Sequence, residues 1–173
     1  MIAITLPDGS VRQYENELTV IDVAKDISEG LARNVLSARF NDTIVEASTT
    51  LDTSGELKLF TWNDDEGKAA FWHSSAHILA QSILALYPKA KLTIGPSIEN
   101  GFYYDVDFGD LSFSENDLKG LEEQFLTFAR QKFEFKMRSS TKAEALSFYK
   151  EENNPFKVEL IENLEDGTIT FCD

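Results

Sequence analysis

The sequence predicts an α+β fold in two modules, and three features carry that prediction. Short alternating apolar and polar runs fill the first sixty or so positions around a single amphipathic stretch. An acidic, polar break, Trp62-Asn63-Asp64-Asp65-Glu66-Gly67, follows them. Beyond it a long run without helix breakers precedes a strong hairpin signal, which predicts a long helix packed on an antiparallel sheet. With 173 residues, 42% of them hydrophobic and 12% aromatic, the chain can bury a core without staples.

The first module opens on Ile2-Ala3-Ile4-Thr5-Leu6, which alternates as a strand. Pro7-Asp8-Gly9-Ser10 supplies turn chemistry before Val11-Arg12-Gln13-Tyr14, giving a β-hairpin. Thr19 then opens a helix with Asp22 as its capping-box partner. Val20, Val23, Ala24 and Ile27 fall at helical spacing, and Gly30 fits the stop. Leu36 to Phe40, Thr43 to Ala47 and Glu56 to Phe60 read as three short strands, separated by Asn41-Asp42 and Thr53-Ser54-Gly55. The order ββαβββ, with one helix laid across a curled mixed sheet, is a β-grasp. The domain boundary is placed after residue 62, so that residues 63–173 form the second domain.

Lys68 to Tyr87 predicts a helix of about twenty residues, with no breaker before Pro88. Leu92 to Ile98 and Phe102 to Phe108 flank Asn100-Gly101 and predict a two-stranded ribbon. Ser114 and Asp117 form a second capping box, and Leu118, Leu121, Phe125 and Phe128 make a stripe ending near Lys132. Phe133 to Arg138 alternates as a strand, while Thr141 to Glu151 and Phe156 to Leu164 read as short helices around an Asn153-Asn154-Pro155 loop. Thr168 to Asp173 is strand-like with no closing turn, so a chain cut short inside a sheet is expected.

Sixteen basic against thirty acidic residues leave a formal charge of -14, a surface that repels phosphate backbones. The single cysteine, Cys172, excludes an intramolecular disulfide. The start Met1-Ile2-Ala3 lacks a secretory pattern, and no apolar run approaches a bilayer span. A cytoplasmic, reducing location and no membrane partner are expected.

Both histidines lie in Trp72-His73-Ser74-Ser75-Ala76-His77-Ile78, four residues apart on the predicted long helix, so their rings share a face. Ala76, Ala80 and Leu84 continue that stripe, which suits a cleft floored by small residues. Such a pair can hold a metal, act as acid or base, or hydrogen-bond a hydroxyl and a water; the same spacing suits two histidines that merely pack or face solvent. A zinc site needs three or four donors, and Ser74 stands where a metalloprotease motif has glutamate. There is no glycine-rich phosphate loop and no Gly-x-Ser-x-Gly nucleophile. Read from residues alone, Lys157, Tyr103 and Tyr104 are a solvated lysine and packed tyrosines, Asp105 and Asp107 are a solvated strand edge, and Cys172 is a small buried apolar group.

Two stretches, Trp72 to Ala80 and Ile94-Gly95-Pro96-Ser97-Ile98-Glu99-Asn100-Gly101-Phe102-Tyr103-Tyr104-Asp105, resemble the opening of the editing domain of the threonyl-tRNA synthetase family. Residues 1–62, with Leu6-Pro7-Asp8-Gly9-Ser10 after the first strand, resemble the TGS domain that this family shares with certain GTPases and stringent-response enzymes. The resemblance implies that His73, His77 and Lys157 are catalytic in editing, and that Tyr104, Gly95 and Pro96 bind the substrate end of the tRNA. It implies no metal in this region, with ATP, Mg and Zn belonging to a catalytic domain not present in the chain. The family's later Cys-x-x-x-His pair is also missing, because only Asp173 follows Cys172. The implied partner is the aminoacylated 3' end of tRNA(Thr), with most backbone contacts made by other domains. A monomer is expected for this chain, and a homodimer for the family's full enzyme.

The implied activity is threonine-tRNA ligation, with this region hydrolysing mischarged seryl-tRNA(Thr). This chain alone is expected to be inactive. Two alternatives stay open: a TGS-type regulatory binding module, and a metal-dependent free-standing aminoacyl-tRNA deacylase.

Overall fold

A computed structural model describes every residue except Glu134, Lys136, Thr168 and Asp173, with the backbone alone of Met137 and Cys172. The chain divides into two units, Met1–Trp72 and His73–Asp173.

In the first unit β1 (Ile2–Thr5) pairs antiparallel with β2 (Val11–Tyr14), and Ile2 lies opposite Tyr14. Helix α1 (Val20–Ile27) is capped by Thr19, whose hydroxyl accepts from the Asp22 amide while the Asp22 carboxylate accepts from the Thr19 amide. Gly30 does not stop this helix. Ser28 ends it instead, and its side chain at once caps a further turn, α2 (Glu29–Ala32), by accepting from the Leu31 amide. Two short strands escaped the sequence reading, β3 (Leu18–Thr19) and its partner β6 (Thr50–Leu51), because two residues are too few to alternate.

The remaining strands are β4 (Ser37–Phe40), β5 (Thr43–Glu46) and β7 (Gly55–Phe60), in a mixed sheet of order β2-β1-β7-β4-β5. Only β1 and β7 run parallel within it, which is the β-grasp arrangement. Val20 and Val23 of α1 pack with Ile2, Ile4, Ala38, Leu51 and Leu57 on one face of this sheet. Burying a side chain of this size stabilises by about 1.5–3 kcal/mol, so this face dominates the unit's stability. Phe60 points to the opposite face and is fully buried, with the Arg39 and Lys58 cations over its ring.

Helix α3 (Asp65–Leu86) starts three residues earlier than the apolar pattern suggests, so the acidic break supplies its first turn. The physical reason is electrostatic: Asp65 and Glu66 sit at the positive end of the helix dipole, and the Asp64 carboxylate accepts from the Thr61 amide at 2.8 Å. Gly67 is required there, since a Cβ at that position would overlap the Thr61 carbonyl.

In the second unit, Ala80, Ile83, Ala90, Leu92 and Leu121 form one core, and Ala145, Ile161 and Ile169 another. The expected ribbon is interrupted. β8 (Lys91–Leu92) pairs with β11 (Val106–Asp107), and β9 (Ser97–Ile98) pairs with β10 (Gly101–Phe102). Between them Pro96 has no amide to donate, and the ladder parts. The tight turn is Glu99-Asn100, one position before the Asn100-Gly101 that the composition suggests, because Ile98 pairs with Gly101.

Helix α4 (Glu115–Gln131) buries Leu121 but leaves Leu118 51% exposed, contrary to the expected stripe. Its first turn directs Asp117 inward instead, where the carboxylate accepts from the Tyr87 hydroxyl at 3.1 Å. β12 (Met137–Ser140) lies further along than the strand expected over Phe133 to Arg138, part of which falls outside the described residues. It pairs antiparallel with β13 (Ile169–Cys172), whose expected flanks Thr168 and Asp173 also fall outside them. Between these strands run α5 (Lys142–Glu151), capped by Thr141, and α6 (Pro155–Glu162), capped by Asn154 with Pro155 in its first turn.

Candidate active site

The four-residue spacing on α3 brings the imidazoles of His73 and His77 together, with their Nε2 atoms 3.0 Å apart, so that one donates and the other accepts. The rings meet edge to face at a centroid distance of 4.6 Å, and the Phe135 ring lies 5.8 Å from that of His77. Ala76, on the same face, is 3% exposed and adds no bulk. Leu84, further along the stripe, stays 41% exposed while its neighbour Ile83 takes the core position.

A cavity of about 430 Å³ opens on this pair, lined by His73, Ala76 and His77 of α3, Ile94 to Ser97, Tyr104 and Lys157. All six residues singled out from the sequence, His73, His77, Lys157, Tyr104, Gly95 and Pro96, therefore line one cavity. Gly95 makes the wall possible: a Cβ there would sit under 3.0 Å from three atoms of the Tyr104 ring, which packs flat against the backbone. Tyr104 in turn packs against the core of Ala80, Ile83 and Leu92. Burial raises the pKa of its hydroxyl, with Tyr149 adding to the shift. Lys157 arrives on the first turn of α6, and burial lowers its pKa.

His77 is pushed down to about 4, first by burial, then by the neighbouring His73 and then by Lys157. It is neutral at pH 7. An unfolded chain, with an ordinary value near ~6.5, binds more protons between those limits, so stability rises with pH across that window. The contribution is complete above about pH 6.5 and is lost as pH falls toward about 4. We expect the His77 ring to titrate below pH 5 by NMR, and His77→Gln to flatten the acid limb of a Tm against pH plot. A His77 midpoint above 6 would contradict this electrostatic account.

Among the described residues, no group of three or more His, Cys, Asp or Glu side chains is placed to hold a metal ion. The Cys172 side chain lies outside the description. Sequence reasoning passed over Asn154 as a loop residue, although Asn directly before Pro at a helix start is a recognisable N-cap signal. It also did not connect Phe135 with the histidines, since nothing local links them.

The TGS domain family matches residues 2–61. The chain carries a TGS domain. This domain is the β-grasp unit, and every residue lining the histidine cavity lies beyond the matched TGS segment. Over its whole length the chain is homologous to threonine-tRNA ligases. It is 60% identical over 173 residues to that of Flavobacterium psychrophilum and 61% identical over 173 residues to that of Flavobacterium johnsoniae, covering 100% of this chain in each case. To the threonine-tRNA ligase of Clostridioides difficile it is 47% identical over 169 residues, or 98% of the chain. The TGS-containing chain spans 26% of the length of each of these relatives.

No helix among the described residues is long and apolar enough to cross a membrane.

Proposed function

We propose that this chain is the TGS and editing region of a cytoplasmic threonine-tRNA ligase, and that the cavity of residues 63–173 hydrolyses seryl-tRNA(Thr). The observation that carries the reading is the hydrogen-bonded His73–His77 pair, with His77 held neutral, facing Lys157 across a cavity of about 430 Å³. A neutral imidazole can accept a proton from water as that water attacks the ester carbonyl. The positive end of Lys157 then opposes the charge developing on the carbonyl oxygen, and a proton handed across the Nε2–Nε2 contact lets the partner imidazole protonate the leaving ribose oxygen, so that both rings end neutral. Tyr104, Gly95 and Pro96 form the wall against which the acylated 3' end lies.

The need for such a site follows from binding energetics. Serine lacks one methyl group of threonine, and a pocket discriminates one carbon by only about 1–3 kcal/mol, so a second, smaller sieve must remove the wrong product. Ligation itself, with ATP, Mg and Zn, belongs to the remainder of the enzyme, as do most contacts to the tRNA backbone; the net charge of -14 accords with that division. We expect the 173-residue chain to be monomeric and inactive alone, and the full enzyme to be a homodimer.

The test is deacylation of seryl-tRNA(Thr) and threonyl-tRNA(Thr) by the full-length protein, with and without a chelator. Selective, chelator-resistant loss of serine is expected. Hydrolysis abolished by chelation and restored by zinc would favour a metal-dependent deacylase, and no hydrolysis at all would favour a TGS-type binding module.

A further inference from the structure

Lys157 reaches the cavity from α6, while Gly95 and Pro96 reach it from the segment that follows β8. These walls are more than sixty residues apart in sequence, and one side chain joins them. Asn154 is 9% exposed, and each of its polar groups is used. Its amide donates to the Tyr149 carbonyl at the end of α5, and its carbonyl accepts from the Val158 amide. Its side-chain Oδ1 accepts from the Lys157 amide at 3.2 Å, and its Nδ2 donates to the Leu92 carbonyl at 3.1 Å.

We propose that Asn154 is a positioning residue that seats Lys157 in the cavity, by tying the first turn of α6 to the end of β8. The cap alone does not perform this. Serine or aspartate at the same position caps a helix about as well as asparagine, but neither offers a side-chain donor that reaches the Leu92 carbonyl. Without the tether, α6 keeps its first turn and Lys157 loses its fixed distance from Gly95 and Pro96. The Leu92 carbonyl is then left without this partner, and the turn relaxes away from β8.

The experiment uses Asn154→Ser and Asn154→Asp in the full-length protein, with circular dichroism confirming the fold; the isosteric aspartate variant stands in if the serine variant unfolds. Competitive acetic-anhydride labelling across pH, read by mass spectrometry, reports the amine of Lys157. Lys142 is the internal control, because its Nζ donates to the Glu162 and Leu164 carbonyls at 2.8 Å and so reports the integrity of the α5–α6 pair. We expect the Lys157 midpoint to rise toward the ordinary lysine value of ~10.4 with Lys142 unchanged. A Lys157 midpoint that stays at its wild-type value in both variants overturns the proposal.

A second arm rests on the editing reading. There kcat for seryl-tRNA(Thr) deacylation is expected to fall about 10–100-fold, with KM within about threefold, as for a misplaced catalytic group. A shifted Lys157 midpoint with unchanged deacylation upholds Asn154 and removes Lys157 from the chemistry. A wild-type protein that does not deacylate removes the editing reading, and the labelling arm still decides the role of Asn154.

Discussion

Replacing His73 or His77 by alanine is expected to lower the single-turnover rate of seryl-tRNA(Thr) deacylation about 10²–10³-fold, within the range of positioned acid–base groups. The expectation rests on the 3.0 Å contact between their Nε2 atoms, which makes the two rings one device. If one ring is removed, the other loses its hydrogen-bond partner and its orientation together. The double variant should therefore be little worse than either single one, because groups that act as a unit are not additive. Two single variants that each remain within threefold of wild type, while folded, would remove the pair from the mechanism.

Gly95→Ala should have the second largest effect. The added methyl would sit under 3.0 Å from three atoms of the Tyr104 ring, and that ring is packed against Ala80, Ile83 and Leu92, with no flexible end to swing aside. Overpacking of this kind costs about 1–3 kcal/mol, which exceeds the ~0.4–1 kcal/mol that a Gly-to-Ala change gains by restricting the unfolded chain. A lower Tm and a loss of deacylation are expected together. Tyr104→Leu in the Gly95→Ala background should recover stability through a positive coupling if the ring contact is the cause. Additive effects of the two changes would locate the damage elsewhere.

Much of this architecture could be read from local pattern. The Thr19–Asp22 box, the apolar face of α1 and the hairpin of β1 and β2 follow from spacing alone, and the structure has all three. The shared face of His73 and His77 is equally local, since it needs only the pitch of a helix. Lys157 and Tyr104 are different. Their place beside the histidines depends on the Asn154–Leu92 bond across 62 positions and on the fit of Tyr104 against Gly95, and only the resemblance pointed to them from the sequence. The misplaced turn at Glu99-Asn100 has a similar origin, because tertiary pairing of Ile98 with Gly101 overrode a strong dipeptide preference. Leu118 was misjudged because a polar contact, Tyr87 with Asp117, set the rotation of the first turn of α4.

The histidine contact has one more consequence. Two neutral imidazoles that share an Nε2–Nε2 hydrogen bond cannot be the same tautomer: one carries its proton on Nε2, and the other on Nδ1. Chemically identical side chains are thereby made unlike, one with a bare Nδ1 that is a base and one with an Nδ1–H that is an acid. Their parts exchange only when a proton enters at the first Nδ1, the shared proton crosses the contact and the second Nδ1 gives up its own. The pair can thus accept a proton at the start of a turnover and release one at its end while its net charge returns to zero, which spares a half-buried site the cost of a lasting ion.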